Sequence, residues 1–225
     1  MARRRAQIFL LSPAYCGGRR AAMLLKPGAT WALAADLQAG RLTLGEAFTF
    51  LSGLYFRGKI SYAQTFGRAP ASHRAATLII TPTRGLLSPD TIVTADLLHE
   101  FASVDVAADD ERYRVPLERD LRLLAERLPV DVRVVLLGSI ASDKYVTLLV
   151  RALGSRLHYP PSFIGRGDMS RGGLLLRSAR AQTELDYSVL EPGTVRRGQR
   201  PPKLEPLPSP RLATRRRRLR LERVL

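Results

Sequence analysis

The chain of 225 residues has a single cysteine and no long apolar run. One cysteine, Cys16, excludes an internal disulfide, so a reducing compartment such as the cytoplasm is expected. No stretch approaches the roughly twenty apolar residues of a membrane-spanning helix. The apolar stretch IFLL near the N-terminus is much shorter than that of a signal peptide. We therefore expect a soluble cytoplasmic protein with no membrane partner.

Metal-binding and nucleotide-binding signatures are also missing. The three histidines, His73, His99 and His158, lie far apart, and neither His-x-x-x-His nor Cys-x-x-Cys spacing occurs. There is no Gly-x-x-x-x-Gly-Lys phosphate loop and no nucleophile elbow for a Ser-His-Asp triad. The sequence thus predicts no metal site and no tightly bound cofactor.

Acidic residues are few compared with basic ones. The chain has 36 Lys+Arg and 20 Asp+Glu, a formal net charge of +16. The preference for arginine over lysine fits a GC-rich genome, but codon usage does not account for the excess over acids. A field this positive favours nucleic acid, nucleotides or other polyanions as partners.

Half of this excess lies at the C-terminus. Residues 190–225 hold eleven basic and three acidic residues, a net charge of +8. Residues 191–225 are rich in Pro and Arg and have too little apolar surface to fold alone, so we predict a disordered basic arm after a single domain over residues 1–190. Its candidate nucleic-acid contacts are Arg196, Arg197, Arg215, Arg216, Arg217, Arg218 and Arg220.

Apolar runs and helical patterns alternate along the domain. Strands are predicted over residues 6–12, 76–82, 132–138, 155–165 and 184–190, and helices over residues 44–57, 94–102, 115–128 and 142–154. In the fourth strand, Pro160 and Pro161 predict an edge position or an early end. Strands that are apolar almost throughout are typical of a buried parallel sheet. We predict an α/β fold, with a mostly parallel sheet of four to five strands and helices on both faces.

Ligands of parallel α/β proteins bind beyond the carboxyl ends of the strands. Four loops that follow predicted strands are rich in Gly, Ser, Pro and charge: SPAYCGGRR, TPTRGLLSPD, GSIASDKY and GRGDMSRGG. Parallel strands would bring all four loops to one end of the sheet, which predicts a ligand site there. From the first two loops, Ser12 and Arg84 are candidate ligand contacts. Cys16 is not expected to be a nucleophile, because no histidine lies close to it in sequence.

The loop GSIASDKY joins the clearest strand to a helix. Gly138 permits a tight turn, Ser139 and Ser142 add hydroxyls, and Lys144 could reach a phosphate held at the helix N-terminus. The alternative is an ordinary helix start in which Ser142 is the cap and Lys144 is solvated.

The loop GRGDMSRGG contains Arg-Gly-Asp, although a cytoplasmic protein has no adhesion receptor to meet. Arg166, Gly167 and Arg171 are predicted to bind an anionic ligand, and Asp168 to bind a polar group or transfer a proton. Asp168 and Lys144 are therefore the candidate catalytic residues. The alternative is that Asp168 caps a helix. Two glycines early in that helix, at 172 and 173, cost about 1 kcal/mol each, which predicts close approach of a ligand or of another backbone.

Aromatic and basic residues interleave in FLSGLYFRGKISYAQTFGR, residues 50–68. Such a pattern suits base stacking beside phosphate contacts. Aromatic residues at helical spacing also suit a packed core, and both interpretations remain open.

The order of the loops resembles that of small α/β proteins of the YaaA-like type. The matching residues are Gly85, Leu86, Leu87 and Pro89, then Gly138, Lys144 and Tyr145, followed by a late Gly-rich loop, over residues 76–177. The resemblance implies an α/β domain that handles bases or DNA, distantly similar to uracil-DNA glycosylases. No water-activating glycosylase motif is present, so that activity is not implied.

Three functions fit these patterns. The first is a nucleic-acid-binding protein that recognises or acts on a base or nucleotide at the four loops. The second is a small-molecule enzyme for a nucleotide or phosphorylated substrate. The third is a non-catalytic assembly protein anchored by its Arg-rich tail. The sequence does not predict the oligomeric state.

Overall fold

The computed structural model describes residues 5–204. The strands in this range are β1 (Gln7–Leu11), β2 (Thr77–Ile80), β3 (Leu86–Leu87), β4 (Arg133–Leu137), β5 (Leu157–Tyr159) and β6 (Ser188–Val189). The helices are α1 (Arg19–Leu24), α2 (Ala32–Gln38), α3 (Leu44–Ser52), α4 (Leu54–Phe66), α5 (Ala95–Ala102), α6 (Glu111–Arg127), α7 (Asp143–Leu153) and α8 (Asp168–Ala181).

The strands form one mixed sheet in the order β3-β2-β1-β4-β5-β6. The inner strands β2, β1, β4 and β5 are parallel, whereas β3 and β6 pair antiparallel at the two edges. The predicted α/β class is confirmed. The sheet has six strands rather than four or five because a tight turn at Gly85, where φ is +63°, folds residues 86–87 back onto β2.

Two apolar layers cover the faces of the sheet. Because side chains alternate along a strand, Phe9 and Leu11 face one layer, formed mainly with α3, α4 and α8, and Ile8 and Leu10 face the other, formed with α6 and α7. All five residues of β1 are buried. The first strand of the chain is therefore the centre of the core.

Some predicted boundaries were wrong. The helix expected over residues 44–57 is two helices, because Gly53 adopts φ +65° and ends α3 before α4 begins. The strand predicted within residues 155–165 stops at Tyr159, which confirms the early end predicted at Pro160, since proline has no N–H to continue the ladder. The expected helix start at Thr94 is confirmed, with its side chain accepting a hydrogen bond from the N–H of Leu97.

The first part of the predicted arm, residues 191–204, lies against the domain. Arg196 forms an ion pair with Asp143 at the start of α7. The Arg197 guanidinium donates a hydrogen bond to the carbonyl oxygen of Ala141 over 3.5 Å. The arm therefore crosses the loop after β4. The other predicted nucleic-acid contacts, Arg215 to Arg218 and Arg220, lie outside the described residues.

No helix within residues 5–204 is long and apolar enough to cross a bilayer.

Candidate functional site

A cavity of about 520 Å³ opens at the carboxyl edge of the sheet. Its lining residues come from the loop after β1 and the start of α1, from the loop after β4 and the start of α7, and from the end of α5 with the residues that follow it. Others come from α3, α4, the loop after β2 and the start of α8. The chain leaves β1 toward β2 on one side and later adds β4 on the other. Such a reversal of strand order opens a crevice between the two loops, where ligands of α/β sheets bind.

Five predicted site residues line this cavity. They are Ser12, Ser139, Ser142, Lys144 and Asp168. They come from three of the four loops that were expected to converge; the second loop contributes only Pro82. The parallel inner strands bring these residues to one edge.

The other five predicted ligand contacts do not line the cavity: Gly138, Arg171, Arg84, Gly167 and Arg166. Arg84 forms an ion pair with Glu100 on α5. Gly167 precedes α8, with open space around the position of a Cβ. Arg166 donates hydrogen bonds to the Ser162 carbonyl at 3.0 Å, the Ser170 hydroxyl at 3.1 Å and the Pro202 carbonyl at 3.5 Å. Arg166 therefore holds its own loop and the arm.

Lys59 lies beneath the cavity floor and was not predicted as a site residue. It is 1% exposed, and its Nζ donates to the Ser12 carbonyl at 2.7 Å and to the Ser12 hydroxyl at 2.9 Å. The ammonium also lies 4.4 Å from the ring centre of Tyr55 and 4.7 Å from that of Phe56. Within residues 5–204, Lys59 forms no ion pair with a carboxylate.

Burial lowers the pKa of Lys59 to about 7. The Asp168 carboxylate opposes this shift in pKa, and the Arg171 guanidinium adds to it. Loss of hydration disfavours the charged form of an ammonium, and no adjacent carboxylate restores it. Near neutral pH, the neutral and protonated forms of Lys59 therefore coexist beside the Ser12 hydroxyl.

Gly138 allows two hydroxyl side chains to meet above β4. A Cβ at this position would lie 2.8 Å from the hydroxyl of Tyr145 and 2.9 Å from the Cβ of Ser12. The Tyr145 hydroxyl donates to the Ser139 carbonyl at 2.8 Å. Burial raises the pKa of Tyr145 to about 12, although hydrogen bonding with Ser12 opposes the rise. Tyr145 therefore stays protonated and can donate.

Asp168 and Arg171 lie one turn apart at the start of α8. Their Oδ1 and Nη1 atoms are 3.4 Å apart, with Asp168 exposed and Arg171 buried. Arg171 also donates to the Phe163 carbonyl at 3.2 Å. Arg171 is therefore a buried cation behind the cavity rather than a residue on its wall.

Tyr55 contributes a buried hydroxyl to the cavity lining. The side chain is 5% exposed. Its hydroxyl lies near the Arg171 guanidinium, which partly offsets the rise in the pKa of Tyr55 caused by burial. No group among the described residues has hydrogen-bonding geometry to this oxygen. Because a guanidinium only donates hydrogen bonds, the Tyr55 hydroxyl keeps its own hydrogen for a ligand oxygen.

Close contact between α4 and α8 brings these residues together. A Cβ on Gly58 would lie 2.7 Å from the carbonyl oxygen of Gly172, and a Cβ on Gly172 would lie 2.7 Å from that of Leu54. The predicted close approach is thus made by another backbone at Gly172, whereas Gly173 has only a side-chain methyl carbon of Leu204 nearby, at 3.5 Å. Because the helices touch at these glycines, Tyr55 and Lys59 of α4 lie beside Arg171 of α8.

Positive groups lie around the rim. Arg19, Arg20 and Lys144 line the cavity, against the carboxylates of Asp105 and Asp168. Arg20 donates to the carbonyl of Phe50 at 3.0 Å. Within residues 5–204, Arg19 and Lys144 make no side-chain hydrogen bond or ion pair. Ser142 precedes α7, but its side chain does not cap the helix. The first N–H groups of α7 therefore remain available to an anion.

Cys16 lines the cavity but lacks the properties of a nucleophile. It is buried, and its thiol contacts the carbonyl of Ala14 at 3.6 Å. Burial raises the pKa of Cys16 to about 12. A reactive thiol needs a lowered pKa, so the expectation that Cys16 is not catalytic agrees with its surroundings.

One signal in the sequence could have identified Lys59. The buried face of α4 includes Tyr55, Phe56, Tyr62 and Phe66, so the interleaved aromatics belong to the core. Lys59 lies on that same face, in a chain with only four lysines among 36 basic residues. A lysine on an aromatic helix face must be desolvated, and a strongly perturbed buried group is typical of a functional site.

Comparisons with known proteins return nothing: no family model, no curated protein and no solved structure matches the chain. The resemblance to YaaA-like proteins remains a prediction. Within the described residues, no group of three or more His, Cys, Asp or Glu side chains is placed to hold a metal ion.

Proposed function

We propose that the protein is an enzyme that binds a small phosphorylated molecule in the cavity and transfers a proton through Ser12 and Lys59. The observation that carries this proposal is the hydrogen bond of 2.9 Å between Lys59 Nζ and the Ser12 hydroxyl, buried beneath a cavity. Ser12 lines the cavity, whereas Lys59 lies behind it. A proton would therefore pass between ligand and lysine through the serine oxygen.

Lys59 has the properties of a general base. Burial lowers the pKa of Lys59 to about 7, so about half of the Lys59 side chains are neutral at pH 7. A neutral amine accepts the proton of Ser12 Oγ, which leaves that oxygen able to accept a proton from the ligand. A base whose pKa is near the working pH is the most effective in such transfers.

The rim supports a phosphate on the ligand. Arg19 and Lys144 have no other side-chain partners among the described residues, and α7 directs free N–H groups toward the same opening. A phosphate accepts hydrogen bonds from both kinds of donor and is favoured by the positive end of the helix.

Substitution of Ser12 by Ala tests this function. The full chain is incubated with nucleoside monophosphates, sugar phosphates and phosphorylated carboxylic acids, with binding followed by thermal shift and conversion by ³¹P and ¹H NMR. We expect Ser12→Ala to retain binding and to lower turnover about 100-fold or more, the usual contribution of general acid–base catalysis. The backbone carbonyl of Ser12 still accepts from Lys59 in this variant.

Ser52→Ala is the matched control, because Ser52 also lines the cavity and has no bond to Lys59. Its turnover should stay within about twofold of the unsubstituted protein, the small effect of a surface hydroxyl. Equal turnover in the two variants, or no binding of any phosphorylated compound, would contradict the proposal.

Nucleic-acid binding is a second candidate, favoured by the concentration of charge at the C-terminus. Residues 190–225 carry a net charge of +8, half of the total. Arg196 and Arg197 contact the domain, so the segment after Leu204 supplies most of the basic residues for a polyanion. Such binding is electrostatic and weakens steeply with salt.

Two truncations separate the arm from the domain. A chain ending at Leu204 is expected to keep its thermal midpoint and to lose most affinity for labelled single-stranded and duplex DNA and RNA, together with most of the salt dependence. A chain ending at Leu190 should also unfold at a lower temperature, because it loses the contacts of Arg196 and Arg197. Unchanged affinity and salt slope after truncation at Leu204 would eliminate the arm as the binding element.

A further inference from the structure

The strand order gives the cavity two different sides. β1 lies at its centre, with β2 on one side and β4 on the other. Residues that follow β2 and α5 must therefore form one wall, and residues that follow β4 must form the opposite wall. The loop after β1 lies between them.

The wall on the β2 side is mainly apolar. Pro82, Phe101, Val104 and Val106 line it, with Asp105 as its one charged member among the described residues. Phe101 is fixed from behind by Phe48, with ring centres 6.2 Å apart in an edge-to-face arrangement. An apolar wall of this kind suits the face of a ring rather than a charged group.

The wall on the β4 side is polar. Ser139, Ser142, Lys144 and the hydroxyl-bearing Tyr145 line it, beside the N-terminus of α7. The buried hydroxyl of Tyr55, beside the Arg171 guanidinium, gives a further hydrogen-bonding position. A ligand that contacts both walls must be apolar at one end, anionic at the other and hydroxylated between them.

The size of the cavity agrees with such a ligand. At about 520 Å³, it falls within the range of about 300–1,000 Å³ for pockets that enclose drug-sized molecules. A phosphate ion or a three-carbon phosphate would leave the apolar wall unoccupied.

Building on the phosphate site proposed above, we infer that the ligand is a nucleoside phosphate, with its base against Phe101, Val104 and Val106 and its phosphate at Lys144 and the start of α7. The ribose hydroxyls then lie near Tyr55 and Ser12. The free nucleotide and a nucleotide at the end of a strand share this chemistry.

Calorimetric titration of the full chain with matched fragments tests the inference. The probes are a nucleoside monophosphate, its nucleoside, ribose 5-phosphate, inorganic phosphate and a short single-stranded oligonucleotide with a 5′-phosphate. We expect the monophosphate to bind at least tenfold more tightly than the nucleoside or ribose 5-phosphate. If a chain ending at Leu204 binds the oligonucleotide more tightly than the monophosphate, the site is assigned to a nucleotide at the end of a strand.

Two variants assign the ends of the ligand. Val106→Ser should weaken the monophosphate about tenfold and leave ribose 5-phosphate unchanged. Lys144→Met should weaken both and leave the nucleoside unchanged. Val106 is partly buried and Lys144 is exposed, so both variants are expected to fold.

The titrations distinguish failure of the inferred base site from failure of the proposed phosphate site. If ribose 5-phosphate binds as tightly as the monophosphate, the inferred base site is wrong, but the proposed enzyme for a small phosphorylated molecule is not contradicted. Binding of the nucleoside as tight as that of the monophosphate, or no binding of any probe, would overturn both.

Discussion

Replacing Gly172 with alanine is expected to destabilise the protein by about 1–3 kcal/mol, the usual effect of forcing an extra methyl group into a packed contact. The new Cβ would lie 2.7 Å from the carbonyl oxygen of Leu54 and 2.8 Å from the Cα of Tyr55. Both are backbone atoms of α4, so the two helices must separate to admit it. Because Tyr55 and Lys59 lie on α4, the site should be disturbed with the fold.

The next residue provides the control. A Cβ on Gly173 would have its nearest neighbour at 3.5 Å, a methyl carbon of Leu204. Gly173→Ala should therefore gain about 0.5–1 kcal/mol from the better helix propensity of alanine. Urea unfolding of both variants gives the comparison. Changes of the same sign would show that α4 and α8 are not held together at Gly172.

The second large effect concerns Lys59 and pH. Its pKa is lowered from 10.5 to about 7 by burial, with Asp168 opposing and Arg171 reinforcing the shift in pKa. Between these two values, the unfolded chain binds a proton that the folded protein does not. Stability must then rise with pH in this window, because unfolding takes up a proton. Below about pH 7, this contribution no longer changes.

Lys59→Met removes this titration and keeps an apolar side chain of similar length. The free energy of unfolding of the unsubstituted protein, minus that of Lys59→Met, should increase from pH 7.5 to 9 with a slope approaching about 1.4 kcal/mol per pH unit. Tyr55 lies against Lys59 and Tyr145 lies beside Ser12, but their raised pKa values keep both tyrosines protonated over this range. A difference that stays flat with pH would show that Lys59 remains charged in the folded protein.

The same residue should control turnover. If Lys59 accepts the proton of Ser12, kcat/KM rises with pH to a plateau, with an apparent pKa near 7. Lys59→Met should lower kcat/KM about 100-fold or more and abolish that rise. A rise of the same shape in Lys59→Met would assign the titration to another group.

Continuous apolar runs made the inner strands predictable. β1, β2 and β4 each lie within a predicted range because both faces of the sheet are covered, which favours apolar residues at nearly every position. β3 has two residues and no pattern of its own. It exists because Gly85 reverses the chain beside β2, which only the tertiary structure shows.

The location of the site was predictable, but its chemistry was not. Ser12, Ser139 and Lys144 lie in or just after loops that follow predicted strands. Because those strands were predicted to be parallel, the three residues were expected at one edge of the sheet. Arg166 appeared equivalent to Arg171 in sequence, yet it points toward Pro202 of the arm. Lys59 is distant in sequence from every predicted loop and reaches Ser12 only because α4 packs across the end of β1.

The central position of β1 has a consequence for synthesis on the ribosome. β1 is made first, but its parallel partners are residues 77–79 and 133–137. The segment QIFLL therefore has no parallel partner until β2 emerges, and its edge toward β4 stays free to join another chain until more than half of the chain has emerged. Nascent chains of this protein should accordingly depend on chaperones until β4 is complete, and translational pausing before that point should increase aggregation.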